Sequence, residues 1–180
     1  AKVRMSLRYE IKALQRRLGF AALHVTHDRE EAMSMADRIL ILDAGRIAQL
    51  GTPEEVYDRP CSPFVASFMG ADNRLTLSVQ PQAGGLRLQG PGLDQTVPAQ
   101  ANWPRGACQA CFRADDARLA APDAPVGDDL ALSARVTARA YLGGQYRHEL
   151  EAAGLHFAVS DALAREPGSA CSLRLPLSKL

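Results

Sequence analysis

The sequence predicts an α+β protein, in which a short α/β segment is followed by a β-rich segment built as a small barrel or sandwich. Three observations carry this. Val3, Leu7, Ile11, Leu14 and Leu18 recur at helical spacing with charged residues between them. Near-continuous apolar runs and capped helix starts follow, up to about residue 71. Beyond that point eight of the eleven prolines lie past residue 80, and the apolar residues adopt period 2.

The first helix runs to Leu18, where Gly19 supplies a stop. Phe20 to Thr26 reads as a short, mainly apolar strand, on which His24 is expected to be packed. Asp28-x-x-Glu31 is a capping-box-like start for a helix through about Ala36. Arg38 to Leu42 is expected as a strand covered on both faces. Asp43-Ala44-Gly45-Arg46 turns it into a hairpin with Ile47 to Leu50. Two short helices follow. Thr52 caps the first, with Pro53 at its first position and Glu55 as the capping-box acid; Ser62-Pro63 opens the second, which closes at Gly70. Phe64, Val65 and Phe68 form a stripe expected to pack on the hairpin.

The second segment is a series of alternating runs: Leu75/Leu77/Val79, Leu86/Leu88, Leu155/Phe157/Val159 and Leu173/Leu175/Leu177. The longest joins Leu130, Leu132, Ala134, Val136, Ala138, Ala140 and Leu142, and predicts one long strand with a single buried face. Gly143-Gly144 then turns the chain into Tyr146 to Leu150.

Composition narrows the function. With 180 residues the chain is long enough for one domain or two small ones. A net charge of +1 and 6% aromatic residues leave no electrostatic or stacking footprint for nucleic acid. No apolar run approaches the ~20 residues that cross a bilayer, so an intracellular protein without direct membrane insertion is expected. Cys108-Gln109-Ala110-Cys111 has no companion pair at zinc spacing. On a strand, residues three apart point to opposite faces, so structural thiols are expected rather than a metal or redox pair. His148 and His156 have no cysteine at ligand spacing, and no metal site is expected.

The segment that points to chemistry is Val25-Thr26-His27-Asp28, where a predicted strand ends and a helix begins. Open α/β sheets place ligands there, and helix amide groups favour a phosphate. No Gly-x-x-x-x-Gly-Lys-Ser/Thr loop occurs to cradle one. Asp28, Glu30 and Glu31 in one helical turn are better explained by capping and the helix dipole than by a metal or acid/base cluster.

An ordered series over about seventy residues carries a family resemblance. It comprises Leu14-Gln15-Arg16, Val25-Thr26-His27-Asp28-x-Glu30-Glu31-Ala32, Ala36-Asp37-Arg38-Ile39, Gly45-Arg46-Ile47, Gly51-Thr52-Pro53-Glu54-Glu55-Val56-Tyr57, Pro60 and Phe64-Val65-Ala66-x-Phe68-x-Gly70. It resembles the end of the ATP-binding subunit of an ABC importer, in the subgroup serving sugars, polyamines, ferric iron and similar solutes. The remainder resembles that subgroup's TOBE-type domain, an OB-like barrel, through Asn73-x-Leu75, Phe112-Arg113-x-Asp115 and Val136 to Gly144. Where relatives often read Arg-Pro-Glu, this chain has Arg113-Ala114-Asp115.

The resemblance implies that residues 1–71 are the C-terminal portion of a nucleotide-binding domain and residues 72–180 a TOBE-type β domain. It implies that Ala1 to Arg4 follow the D-loop, and that the Walker A, signature and Walker B motifs precede residue 1. His27 would then be the switch histidine, contacting the γ-phosphate in the closed dimer. The longer parent would use ATP and Mg2+, pair with a second copy of itself, and drive membrane permease subunits from the cytoplasmic face of the membrane. This chain alone would bind no cofactor and be inactive. Cut from their sheet, the Phe20 and Ile39 strands would leave a bare edge and an apolar face.

Two further function classes remain open, a small-oxyanion-sensing barrel and a purely structural dimerisation module. Arg135, Thr137, Arg139 and Tyr141 alternate along one face of the long strand. Molybdate-linked TOBE relatives bind an anion, which makes Arg113, Arg135 and Arg139 candidates for the first class. The plainer reading of that face is packing against a partner subunit or contact with water.

Overall fold

The structure, a computed structural model, describes residues 2–99 and 103–179, with side chains from residue 5 onward. Val3 and the Ala1–Arg4 stretch therefore fall outside the described side chains. The chain divides into two units, Ala1–Met69 and Gly70–Leu180.

In the first unit, helix α1 (Lys2–Leu18) ends as expected. Gly19 adopts φ +67°, and its amide donates to the Gln15 carbonyl at 2.8 Å. The amphipathic stripe, however, faces outward. Leu7, Ile11, Leu14 and Leu18 are exposed, while Arg8, Lys12 and Gln15, at i, i+4 and i+7, form the inward face. Phe20 to Thr26 forms no strand, which corrects the sequence expectation. A strand needs a neighbour to satisfy its backbone groups, and the two strands described in this unit, within residues 39–51, pair only with each other. Leu23 and Val25 are 95% and 87% exposed, and His24 is exposed rather than packed.

Helix α2 (Arg29–Met35) leads to a hairpin of β1 (Ile39–Asp43) and β2 (Arg46–Gly51). Ala44 (φ +45°) and Gly45 (φ +78°) occupy the two central turn positions, the type I′ geometry that matches strand twist. Ile39 and Ile41 point inward onto Val56, Val65 and Met69, with Ala32, Met33, Ala36 and Ala48 around them. Leu40 and Leu42 are exposed, so this hairpin is covered on one face and not two.

Helix α3 (Pro53–Asp58) carries the complete capping box: the Glu55 amide donates to Thr52 Oγ1 at 3.2 Å, and the Thr52 amide to Glu55 Oε2 at 2.9 Å. Ser62 caps α4 (Pro63–Phe68) through the Val65 amide. Val65 and Met69 make the buried edge of α4. Phe64 and Phe68 stack on each other 6.4 Å apart on its exposed side, so the expected stripe is split.

The second unit is all antiparallel β, and the described protein as a whole is mostly β. One sheet has the order β5-β4-β3-β6, from β3 (Asn73–Gln82), β4 (Gly85–Gly90), β5 (Leu93–Val97) and β6 (Gly106–Phe112). The other has the order β10-β9-β8-β11-β7, from β7 (Arg118–Ala120), β8 (Leu130–Tyr141), β9 (Tyr146–Ala152), β10 (Leu155–Asp161) and β11 (Ala170–Leu175). The edges of the five-stranded sheet, β7 and β10, meet where the Leu119 amide donates to Asp161 Oδ2 at 3.3 Å. The curl gives the OB-like barrel.

Two amides tie the sheets together. Asn73 on β3 donates to the Ala158 carbonyl and accepts from the Ala158 amide, at 2.8 and 2.7 Å. Gln95 on β5 bonds the Asp129 carbonyl and the Ala131 amide, at 2.7 and 3.2 Å. Between the sheets Leu75, Leu88, Phe112, Leu132, Leu150, Phe157 and Leu173 are fully buried.

Strand β8 departs from the reading of one long strand with a single buried face. Leu130, Leu132, Ala134 and Val136 are buried, but a bulge between Val136 and Ala138 inserts Thr137, and the buried alternation stops there. Cys108 faces the core from β6 while Cys111 lies on the opposite face. Burial pushes both thiols up, with Arg74 partly opposing this at Cys111, which makes either a poor thiolate.

Candidate functional site

His27 lies immediately before Asp28, the N-cap of α2. The loop that presents it is pinned on both sides. The Asp28 amide donates to Thr26 Oγ1 at 2.9 Å, and the Thr26 hydroxyl donates to Glu31 Oε2 at 2.8 Å. Asp28 Oδ1 accepts from the Glu31 amide at 3.2 Å, the first half of a capping box. The second half is not made, because Glu31 turns to Thr26 and Arg8 instead.

Arg8 is the residue that sequence reasoning missed. It is 8% exposed on the inward face of α1, and it reaches Asp28 at 3.2 Å, Glu31 at 3.1 Å and Glu30 at 3.6 Å. The one available signal was the polar i, i+4, i+7 pattern of Arg8, Lys12 and Gln15 beneath the apolar stripe. The three acids therefore serve as cap and counter-charge to Arg8. Among the described residues, no group of three or more His, Cys, Asp or Glu side chains could hold a metal ion.

His27 itself is exposed and has no hydrogen-bond or ion-pair partner among the described residues. The amides of Asp28, Glu31 and Ala32 already have acceptors. The start of α2 thus presents an exposed imidazole.

Glu31 carries the clearest electrostatic signature. Hydrogen bonds from Thr26, Arg8 and His24 hold its carboxyl at about 2, well below the ordinary 4.5. A carboxyl depressed in the folded state contributes stability above its unfolded value, and loses that contribution as pH falls from 4.5 towards 2. A carbon-13 carboxyl titration should place the Glu31 midpoint near 2, and Thr26→Val should move it upward. A wild-type midpoint at the ordinary value would remove the network as drawn.

The three arginines singled out in the barrel are not brought together. Arg113 follows β6 and pairs with Asp116 at 3.6 Å. Arg135 donates to the Gly168 carbonyl at 2.5 Å. Arg139 pairs with Glu166 at 2.7 Å and lies over the Tyr146 ring, 5.5 Å from its centroid. The bulge at Thr137 also corrects their shared face. Arg135 pairs with exposed Glu151 and Arg139 with fully buried His148, and partners across a ladder share a face. Arg135 and Arg139 therefore lie on opposite sides of the sheet.

Residues 110–178 match the family model described as the TOBE domain. The sn-glycerol-3-phosphate import ATP-binding protein of Jannaschia sp. is 49% identical over 129 residues, covering 71% of this chain and 35% of that protein. The Fe(3+) ions import ATP-binding protein of Rhizobium etli is 38% identical over 167 residues, 92% of this chain and 46% of that protein. This chain corresponds to part of an ABC importer ATP-binding subunit and carries a TOBE domain.

The spermidine/putrescine import ATP-binding protein of Acidothermus cellulolyticus is another such relative, 38% identical over 145 residues, with 79% and 38% of the two chains covered. The chain spans less than half the length of these relatives. The TOBE match takes in the end of β6 and all of β7 to β11, hence Arg113, Arg135 and Arg139 but not His27. No helix among the described residues of this ATP-binding subunit segment is long and apolar enough to cross a membrane.

Proposed function

We propose that the chain is the C-terminal part of the ATP-hydrolysing subunit of an ABC solute importer. Residues 1–71 form the tail of the nucleotide-binding domain, and residues 72–180 a TOBE-type domain that regulates the dimer or stabilises it. The observation that carries the reading is His27, exposed and unpartnered between Thr26 and the cap residue Asp28, with its loop fixed by Arg8 and Glu31. The 92% coverage in the Rhizobium etli comparison takes in this segment as well as the barrel.

His27 donates from its imidazole to the terminal phosphate of ATP and helps to position the attacking water. Phosphoryl transfer rests on positioning and on stabilising charge at the departing phosphate, so one presented donor has leverage. Thr26, Asp28, Glu31 and Arg8 are positioning residues, since they fix the loop without touching substrate. The acids beside His27 are committed to Arg8, so magnesium is assigned no ligand in this chain. The parent works as a pair of copies, coupled to permease subunits at the cytoplasmic face of the membrane.

The exposed apolar residues of the first unit fit the same reading. Leu7, Ile11, Leu14, Leu23, Val25, Leu40 and Leu42 are covered by nothing described here, as expected of surfaces that belong inside a larger α/β sheet.

Scanning fluorimetry with Mg-ATP separates chain from parent. A ligand at a hundredfold excess over its dissociation constant adds about 2.7 kcal/mol of stability. The longer subunit should show such a shift, and the 180-residue chain none. A saturable ATP shift in the chain alone would mean that a different nucleotide site exists.

A further inference from the structure

His148 on β9 is fully buried, in an alternation with Leu150 and Ala152 that faces the core. Its ladder partners are Val159 on β10, itself fully buried, and Arg139 on β8 beyond the bulge. The imidazole Nε2 accepts the Arg165 backbone amide at 3.1 Å, so the neutral ring carries its hydrogen on Nδ1. That Nδ1 is buried, with the Val159 carbonyl near it but no hydrogen bond completed. The one bond His148 makes is therefore to a connection and not to a strand.

That connection is residues 162–169, an irregular strap between β10 and β11. Most of it is exposed, and it is fastened to three strands besides β9. Arg165 Nη2 donates to the Leu119 carbonyl on β7 at 2.8 Å, and Glu166 pairs with Arg139 on β8 at 2.7 Å. The Val136 amide and carbonyl of β8 bond Ser169 and Gly168 at 3.0 and 2.7 Å, where Ala170 begins β11. Protonation of Nε2 would turn the acceptor under the strap into a donor, set N–H against N–H, and place a cation in a buried position.

We propose that His148 is a proton-operated latch: taking up a proton from solvent on Nε2 breaks its bond to Arg165 and releases the strap from this end of the barrel. The surroundings do little to hold an imidazolium in place. Arg139 and Arg165 carry the same charge. Asp161 on β10 attracts it, but the two Asp161 oxygens already accept from the Leu119 and Leu163 amides at 3.3 and 2.9 Å. Glu166 on the strap is engaged by Arg139, the Tyr146 ring of β9 lies 6.2 Å away, and burial keeps Cys171 of β11 a neutral thiol. Burial pushes His148 below the ordinary 6.5; Asp161 and the Val159 carbonyl oppose this, and Arg165 and Arg139 add to it. The closed strap thus binds fewer protons than the open one. Its stability is fully present above 6.5 and falls as pH drops below that value. The inference stands independently of the ATPase reading.

The test combines amide hydrogen exchange with imidazole nitrogen-15 spectra of the 180-residue chain, from about pH 8 down to about pH 5. With intrinsic exchange corrected for, the Arg165 amide should lose protection about tenfold per pH unit below 6.5, down to the His148 midpoint. Low urea should hardly change its exchange, because a local opening exposes little surface. The ring should show the Nδ1–H tautomer and a midpoint below 6.5. His148→Gln, whose side-chain oxygen can still accept the Arg165 amide but takes up no proton in this range, should keep the strap closed and flatten the pH dependence. A His148 midpoint at or above 6.5, or Arg165 protection unchanged across the range, overturns the latch. So does Arg165 exchange with the urea dependence of the β8 and β11 amides, which would make the release global unfolding. Should His148→Gln not fold, the wild-type midpoint and the Arg165 exchange decide alone.

Discussion

Truncating Phe112 to alanine is expected to destabilise the β-rich unit by about 3–5 kcal/mol, the range for a large aromatic removed from a closed core. Phe112 is fully buried at the end of β6, opposite Asn73 in the ladder. Its ring stacks on Phe157 of β10, with centroids 5.7 Å apart and planes inclined by 27°. The pair joins the two sheets where Asn73 stitches β3 to β10, so neither sheet can move in to fill the space without breaking those bonds. The probe is built in. Trp103 is the single tryptophan of the chain and packs against this core, so its fluorescence follows this unit alone. Urea denaturation read at Trp103 should show the midpoint fall with an unchanged slope. Phe157→Ala should cost a similar amount, and the double variant less than the sum, because the two rings share a contact. A loss below about 1 kcal/mol for Phe112→Ala would mean that the ring is not the packed joint described here.

Much of the fold was legible because its signals are local. Thr52-Pro53-x-Glu55 and Ser62-Pro63 specify their helix starts with residues three apart, and both caps form as read. Asp43-Ala44-Gly45-Arg46 turns where its glycine allows. The errors came where the outcome depends on a neighbour that sequence does not display. Phe20 to Thr26 has the composition of a strand but no adjacent strand among the described residues, so its backbone has nothing to pair with. The run from Leu130 to Leu142 alternates without a break on paper. The bulge at Thr137, whose hydroxyl bonds the Glu149 carbonyl at 3.1 Å, interrupts it and turns Arg135 and Arg139 to opposite faces.

The candidate sites show the same division. His27 was singled out because a histidine beside a cap residue, within an ordered set of motifs, is visible along the chain. Arg8 lies twenty residues away from Asp28 and looked like one more charge on an amphipathic helix. Only the reversed orientation of that helix reveals it as the residue that holds the loop.

The largest functional effect belongs to His27. On the proposed reading, His27→Ala in the longer parent subunit removes one donor aimed at the departing phosphate, and losing a single such donor costs about 10²–10³-fold in turnover. The side chain makes no described contact that supports the fold, so ATP affinity and melting temperature should change little. Arg8→Leu should also reduce turnover, but through the loop, and with a loss of stability that His27→Ala does not share.

The most direct measurement is therefore steady-state ATP hydrolysis by the parent subunit assembled with its permease, comparing wild type with His27→Ala and monitoring ATP binding in parallel. The account predicts turnover reduced by about 10²–10³-fold with binding retained. Wild-type turnover in the variant would contradict it, and would return His27 to an exposed residue at a helix start.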